Sequence, residues 1–142
     1  MKFKFRYIII TLSLLAMIKT MSCEPENWMM IDCNECFSYK PDSANLIVYL
    51  TIDSDYGPVP LTFFKGKYEE GVIDWQDTAT TTEFRLYSEI GQLYTVKAIY
   101  STGDETIIAF DADRMTKYNA GEECGNPCYI VKGGVFDLRI KD

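Results

Sequence analysis

Four cysteines in two closely spaced pairs are the residues of this sequence best suited to chemistry. Two residues separate Cys33 from Cys36, and three separate Cys124 from Cys128. Such a set can form disulfides within or between the pairs, it can bind zinc through four thiolates, or its C-x-x-C pair can act in redox exchange. A bridge between the pairs would close a loop of roughly 100 residues, which stabilises a fold by about 4 to 5 kcal/mol.

The surroundings of these cysteines favour disulfides. Disulfides are typical of exported proteins, and the N-terminal segment described below predicts export. A C-x-x-C redox pair needs a βαβ context, which this sequence lacks. We therefore predict that Cys33, Cys36, Cys124 and Cys128 form two disulfides and that the protein has no metal site and no cofactor. Four cysteines allow three pairings, and the sequence leaves all three open.

Two short acidic motifs are the next candidates for chemistry. Asp53 and Asp55 form one, and Asp111 and Asp113 form the other, both in segments that we predict to be loops. Two carboxylates at one turn can bind calcium, but an EF-type loop needs further ligands that neither segment supplies. The simpler interpretation is a solvated turn in which aspartate caps the backbone.

The absence of histidine limits catalysis. The chain has no histidine, which excludes a Ser-His-Asp or Cys-His arrangement and a histidine-ligated metal. A glycosidase-type pair of carboxylates is compatible with the composition, but no spacing singles out two of them. We therefore predict that the protein is not an enzyme.

Aromatic residues are abundant and offer a binding surface instead. There are 10 Tyr, 8 Phe and 2 Trp. Trp75, Tyr68 and Tyr56 lie in loops or weak strands, where exposed rings could stack on a sugar or a partner protein. We treat these three as a candidate ligand platform. The alternative is that they pack at the ends of the sheets, because large aromatic side chains are usually mostly buried.

The segments that position these residues are predicted to be β-strands. Apolar residues alternate with polar ones over 45–52 and most clearly over 93–100, the period of a strand with one buried face. Turn-forming residues recur every 8 to 14 positions, and no segment keeps a helical period beyond a turn or two at 111–118. We predict an all-β fold, a seven- to eight-stranded antiparallel β-sandwich, with a polar loop over 117–127.

The first residues have the order of a secretory signal peptide. A basic start is followed by an uncharged apolar run over 7–18, and Ser22 precedes Cys23. Those 12 residues are too few to cross a bilayer, which needs about 20. The junction resembles the lipobox of bacterial lipoproteins, although Thr20 and Met21 stand where that family more often has leucine and a small residue.

The lipoprotein resemblance implies an anchor and a location. Cys23 would become the mature N-terminus and carry lipid, and several acyl chains anchor a protein stably. The membrane would then be a partner through this lipid, in the bacterial cell envelope and most simply at the outer membrane. The alternative is an ordinary secreted protein in which Cys23 is incidental. Because the chain has five cysteines, lipidation of one leaves an even set.

Domain boundaries and charge follow from the same interpretation. We predict a signal peptide over 1–22, a short tether over 23–27 and a β-sandwich domain over 28–142. The mature chain has 10 basic and 21 acidic residues, a net charge of −11. This charge argues against nucleic acid or an anionic membrane surface as a partner.

The domain resembles a known sandwich family. The segments 57–66, 84–87 and 91–98 are similar to the transthyretin-like (carboxypeptidase regulatory-type) sandwich, an Ig-like fold. The whole chain also resembles small envelope lipoproteins of Gram-negative bacteria. Neither resemblance implies an activity. We expect a non-catalytic binding or accessory module, with two alternatives: a carbohydrate- or peptide-binding surface module, or a fimbrial-type structural subunit that assembles through edge strands.

Overall fold

The described part of the chain is built almost entirely from β-strands. The structure is a computed structural model and describes residues 31–141. The predicted signal peptide, Cys23, the tether and residues 28–30 of the predicted domain therefore lie outside the described residues. The strands are β1 (Ser43–Tyr49), β2 (Val59–Lys65), β3 (Val72–Ala79), β4 (Glu83–Glu89), β5 (Leu93–Thr102), β6 (Glu105–Arg114), β7 (Thr116–Asn119), β8 (Tyr129–Lys132) and β9 (Val135–Asp137). This confirms the all-β prediction at the level of fold class.

The strands form three sheets. The order of the three-stranded sheet is β4-β1-β9, that of the four-stranded sheet is β3-β2-β5-β6, and β7 pairs with β8 alone. All pairs are antiparallel except β1 with β9, which is parallel. The described residues thus contain nine strands, more than the seven or eight predicted, and one pair runs against the predicted antiparallel arrangement.

Two local predictions are corrected between residues 111 and 127. The segment 111–118, the nearest candidate for a helix, instead completes β6 and begins β7. The segment 117–127, predicted as a polar loop, contains most of β7 and one short helix, α1 (Gly121–Cys124). Both segments are short and polar, so their conformation is decided by partner strands that are distant in sequence.

The main core lies between the inner faces of the two larger sheets. The alternation in β5 buries Tyr94, Val96, Ala98 and Tyr100. These residues pack in one cluster with residues of β1, β2 and β9, among them Phe136. The alternation of apolar and polar residues in the sequence therefore identified the buried face of the central strands.

A second, smaller cluster lies around β7 and β8. Ala120, Cys128 and Ile130 are buried there, with Cys36 and Cys124 packed against them. A short 3-10 helix at Cys33–Glu35 and one β-bridge between Phe37 and Tyr129 are the other contributions of the N-terminal segment. No helix among residues 31–141 is long and apolar enough to cross a membrane.

The hydroxyl of Tyr100 connects the core to the C-terminal segment. It donates a hydrogen bond to the carbonyl of Leu138 at 2.7 Å and accepts one from the backbone N–H of Thr51 at 3.3 Å. Burial raises the pKa of this phenol. Because the side chain is 1% exposed, water cannot replace the lost partner if the hydroxyl is removed.

Tyr100→Phe is therefore expected to lower the free energy of unfolding by about 1.5 kcal/mol. Urea unfolding of the full chain measures this. Tyr87→Phe is the matched control, because the Tyr87 side chain is exposed, and its free energy of unfolding should not change. An equal effect of the two substitutions would contradict the role given to the Tyr100 hydroxyl.

Candidate functional site

The four cysteines are joined between the pairs rather than within them. Cys33 is bonded to Cys124, with Cα atoms 5.4 Å apart, and Cys36 is bonded to Cys128, with Cα atoms 4.9 Å apart. The bridges fasten the segment before β1 to α1 and to the residue that precedes β8. The structure therefore agrees with the disulfide interpretation and selects one of the three pairings.

The zinc and redox interpretations fit this arrangement less well. The sulfur atoms of Cys36, Cys124 and Cys128 lie within 4.8 Å of one another. This proximity results from two neighbouring disulfides, and a sulfur in a disulfide is not the thiolate that zinc needs. The C-x-x-C redox interpretation requires Cys33 to bond Cys36, whereas each is bonded to a distant partner.

The first acidic motif caps a turn. One carboxylate oxygen of Asp53, Oδ1, accepts the backbone N–H groups of Asp55 at 2.8 Å and Tyr56 at 2.9 Å. The oxygen is thus occupied by its own backbone. The arrangement is the backbone-capping geometry that the sequence suggested as the alternative to calcium.

The second acidic motif corrects a prediction. Asp111 and Asp113 lie in β6, not in a loop. Asp111 accepts the N–H of Ala112 at 2.8 Å with Oδ1 and that of Asp137 at 3.0 Å with Oδ2. Asp113 accepts the N–H of Arg114 with Oδ1 and that of Gly134 with Oδ2, both at 2.7 Å. The Oδ1 atoms are thus occupied by the backbone of β6 itself, and the Oδ2 atoms join β6 to the segment 134–137.

Two glycines permit the close approach of β9 to β6. Gly133 and Gly134 both have positive φ, at 81° and 77°. A Cβ on Gly133 would collide with the carbonyl oxygen of Arg114. The glycine pair before β9 is therefore what lets the backbone of β9 reach the carboxylates of β6.

The predicted aromatic platform is divided among different surfaces. Tyr56 packs against the core and contacts Tyr100 edge-on, with ring centroids 5.6 Å apart. Residues paired across a ladder project to the same face, so Trp75, opposite Phe63, lies on the core side of β3. Tyr68 instead packs over Phe64 on the outer face of the four-stranded sheet, at a centroid distance of 5.2 Å. The structure does not bring the three residues together.

The outer face of the four-stranded sheet has an aromatic cluster that the sequence prediction missed. The Tyr68 and Phe110 ring centroids are 4.5 Å apart, and Ile73 and Ile108 are exposed on the same face. The available signal was that β6 has apolar residues on both faces: Ile107 and Ala109 point inward while Ile108 and Phe110 point outward. A strand with only its core face apolar would have polar residues there.

The pKa shifts indicate structural ion pairs. Hydrogen bonding and charge from Lys117 lower the pKa of Asp42, and those from Arg139 lower the pKa of Asp137. A hydrogen bond to Asp74 raises the pKa of Lys65. A general acid needs a raised carboxyl pKa and a lysine nucleophile a lowered one, so these shifts have the opposite direction to those of catalytic groups.

No family model, curated protein or solved structure matches this chain.

Proposed function

We propose that this protein is a lipid-anchored, non-catalytic binding or accessory module of the bacterial cell envelope. The observation that carries the proposal is that four of the five cysteines are paired with one another. Since Cys33, Cys36, Cys124 and Cys128 are used in two bridges, the fifth thiol, Cys23, has no intramolecular partner left. A lone cysteine after the apolar run of a leader is the residue that a lipobox modifies.

The position of the bridges supports a tethered protein. Cys33 follows Cys23 by ten residues. Its 3-10 helix has no buried residues, and beside it Ile31 and Cys36 are only partly buried against the smaller core cluster. The disulfides to Cys124 and Cys128 therefore join the lipid-bearing N-terminal segment to the β-domain covalently. The attachment does not depend on non-covalent contacts of this segment.

The net charge and the exposed apolar residues of the domain indicate which kinds of partner it would bind. The ten basic and eighteen acidic residues of 31–141 give a net charge of −8, which disfavours nucleic acid. The exposed cluster of Tyr68, Phe110, Ile73 and Ile108 would suit a protein or glycan partner. The carbohydrate- or peptide-binding alternative rests on this cluster, and the transthyretin-like or Ig-like assignment rests on two sheets that share one core.

Cys23→Ser is expected to release the protein from the membrane fraction when the full chain is expressed in a Gram-negative host. The wild-type protein should carry acyl chains at residue 23 by mass spectrometry, and the variant should carry none. Cys33→Ser/Cys124→Ser is the matched control, because it also replaces cysteines but should keep the lipid. A variant that stays membrane-bound, or a wild-type mass without acyl groups, would contradict the anchor.

A further inference from the structure

Strand β3 is an edge strand with an unusually exposed surface. Seven of its eight residues are exposed and only Ala79 is buried. Val72, Ile73 and Trp75 keep 74%, 54% and 50% of their surface exposed. Within residues 31–141, β3 pairs with β2 and with no other strand, so the backbone groups on its outer side are open to another strand.

The opposite edge of the same sheet shows how this protein joins two strand edges. On β6, Asp111 and Asp113 each bind the next N–H of their own strand through Oδ1. Their Oδ2 atoms accept N–H groups from the β9 segment, those of Asp137 and Gly134. Each carboxylate thus bridges two edges that both present N–H donors.

Asp77 repeats the first half of this arrangement on β3. Its Oδ1 accepts the N–H of Thr78 at 2.7 Å, as Asp111 and Asp113 do with their following residues. Thr78 lies opposite Pro60, which has no N–H to offer the ladder. No hydrogen bond reaches Oδ2 of Asp77 from the rest of the described chain, whereas the corresponding oxygens of β6 hold β9.

We propose that the outer edge of β3 binds an extended, cationic polypeptide segment of another protein as an added strand. Oδ2 of Asp77 accepts a backbone N–H of that segment, in the way that Asp111 and Asp113 accept N–H groups of β9. A register shift in the β2–β3 pair, between the Phe63–Trp75 and Phe64–Ile73 partners, places Trp75 and Ile73 on opposite faces of β3. Each can therefore contact a side chain on one face of the added strand. This is recognition by strand addition, with main-chain hydrogen bonds giving affinity and side-chain contacts giving selectivity.

Charge identifies the occupant as basic. Asp74 and Asp77 lie on the strand, and Glu69 and Glu70 precede it. Lys65 is paired with Asp74 at 3.1 Å, while among the described residues Asp77 has no ion-pair partner. Lysine or arginine on the incoming strand would meet this acidic edge, and cross-strand pairs of opposite charge are stabilising.

A second copy of this chain is a poorer occupant. When two copies of β3 pair antiparallel along their whole length, the centre of the pair lies between Trp75 and Gln76. Asp74 of each copy then lies opposite Asp77 of the other, and like charges directly opposite are destabilising. The second copy would also bring another net charge of −8 over residues 31–141. Strand β4, an edge of the three-stranded sheet, differs from β3 because it carries a basic residue, Arg85, which is paired with Glu83 at 2.6 Å.

The test uses the full chain in neutral detergent micelles and the peptide acetyl-(Lys-Val)4-amide. Binding is followed by amide chemical shifts and calorimetry at low salt. We expect shifts concentrated in residues 72–79 and about tenfold weaker binding by Asp77→Ala, because a bond to a charged acceptor is lost. Asp104→Ala, which removes an exposed charge in the turn between β5 and β6, should leave the affinity within about twofold.

A modified peptide separates strand addition from simple charge attraction without changing the protein. N-methylation of every residue removes the N–H donors from both edges of the peptide and keeps every charge, so it should abolish binding by strand addition. Equal binding of the methylated peptide, shifts outside β3, or no binding at millimolar peptide would each overturn the proposal. Self-association through β3 that grows with protein concentration would overturn it in favour of a second copy.

Discussion

Replacing all four bridging cysteines is expected to lower the free energy of unfolding by about 7 kcal/mol, whereas removing either bridge alone should lower it by about 2.5 kcal/mol. The two bridges span sequence separations of 91 and 92 residues. They close almost the same loop, so the first bridge removed leaves most of the constraint in place. The loss appears mainly when the second bridge is broken.

The magnitudes follow from loop lengths. Closing a loop of about 92 residues removes chain entropy worth about 4.6 kcal/mol from the unfolded state. Once one bridge exists, the other closes only a small ring through 33–36 and 124–128, about seven residues of chain, which contributes about 2.5 kcal/mol. Since small domains have total stabilities of about 5 to 15 kcal/mol, the four-cysteine variant is expected to be largely unfolded.

A double-mutant cycle measures this coupling. Urea unfolding of the full chain compares Cys33→Ala/Cys124→Ala, Cys36→Ala/Cys128→Ala and the four-cysteine variant. Because Cys128 is buried, its replacement also removes packing, so reduced wild-type protein is the matched control that keeps every side chain. Additive losses would contradict the shared-loop argument. Four free thiols titrating in metal-stripped protein would contradict the bridges themselves.

The sequence predicted the central strands well because the alternation of apolar and polar residues within each strand is visible without knowing its partners. The alternation over 93–100 covers all but the last two residues of β5, and that over 45–52 covers most of β1. Both strands lie in the middle of a sheet, where one face must be apolar along its whole length. The helix suggested at 111–118 was wrong because β6 and β7 are edge or minor strands, and their conformation depends on pairing with β5 and β8.

The candidate sites show the same division between local and distant effects. The cysteines could be predicted as a set, but their pairing depends on how α1 and β8 approach the N-terminal segment, which no spacing encodes. Capping by Asp53 is local and was anticipated. The role of Asp111 and Asp113 was not, since it requires β9 to arrive from more than twenty residues away.

Asp113→Ala is expected to lower the free energy of unfolding by about 3 kcal/mol. The carboxylate of Asp113 accepts the N–H of Arg114 with one oxygen and that of Gly134 with the other. Its removal leaves these two backbone donors, and the N–H of Val135 that lies 3.4 Å from the second oxygen, without their charged acceptor at the contact between β6 and β9. A hydrogen bond to a charged group contributes about 1.5 to 3 kcal/mol, and partial exposure to water at this edge reduces the sum of two.

Asp113→Asn tests the same contact with almost no change of shape. Asparagine offers one acceptor oxygen, and its amide NH2 would face an N–H group where a carboxylate oxygen stood. We therefore expect a loss of about 2 kcal/mol, most of the effect of alanine. Urea unfolding of the full chain measures both variants. Asp104→Ala, in the exposed turn between β5 and β6, is the control and should change the stability by less than about 0.5 kcal/mol.

The sign of the Asp113→Asn effect separates two physical explanations. Residues 31–141 carry a net charge of −8, so removing one negative charge relieves repulsion and should stabilise the domain if charge alone matters. The bridging geometry predicts the opposite sign, because two N–H donors cannot share one amide oxygen without displacement. An asparagine variant as stable as wild type, or more stable, would show that the carboxylate does not hold β9 to β6.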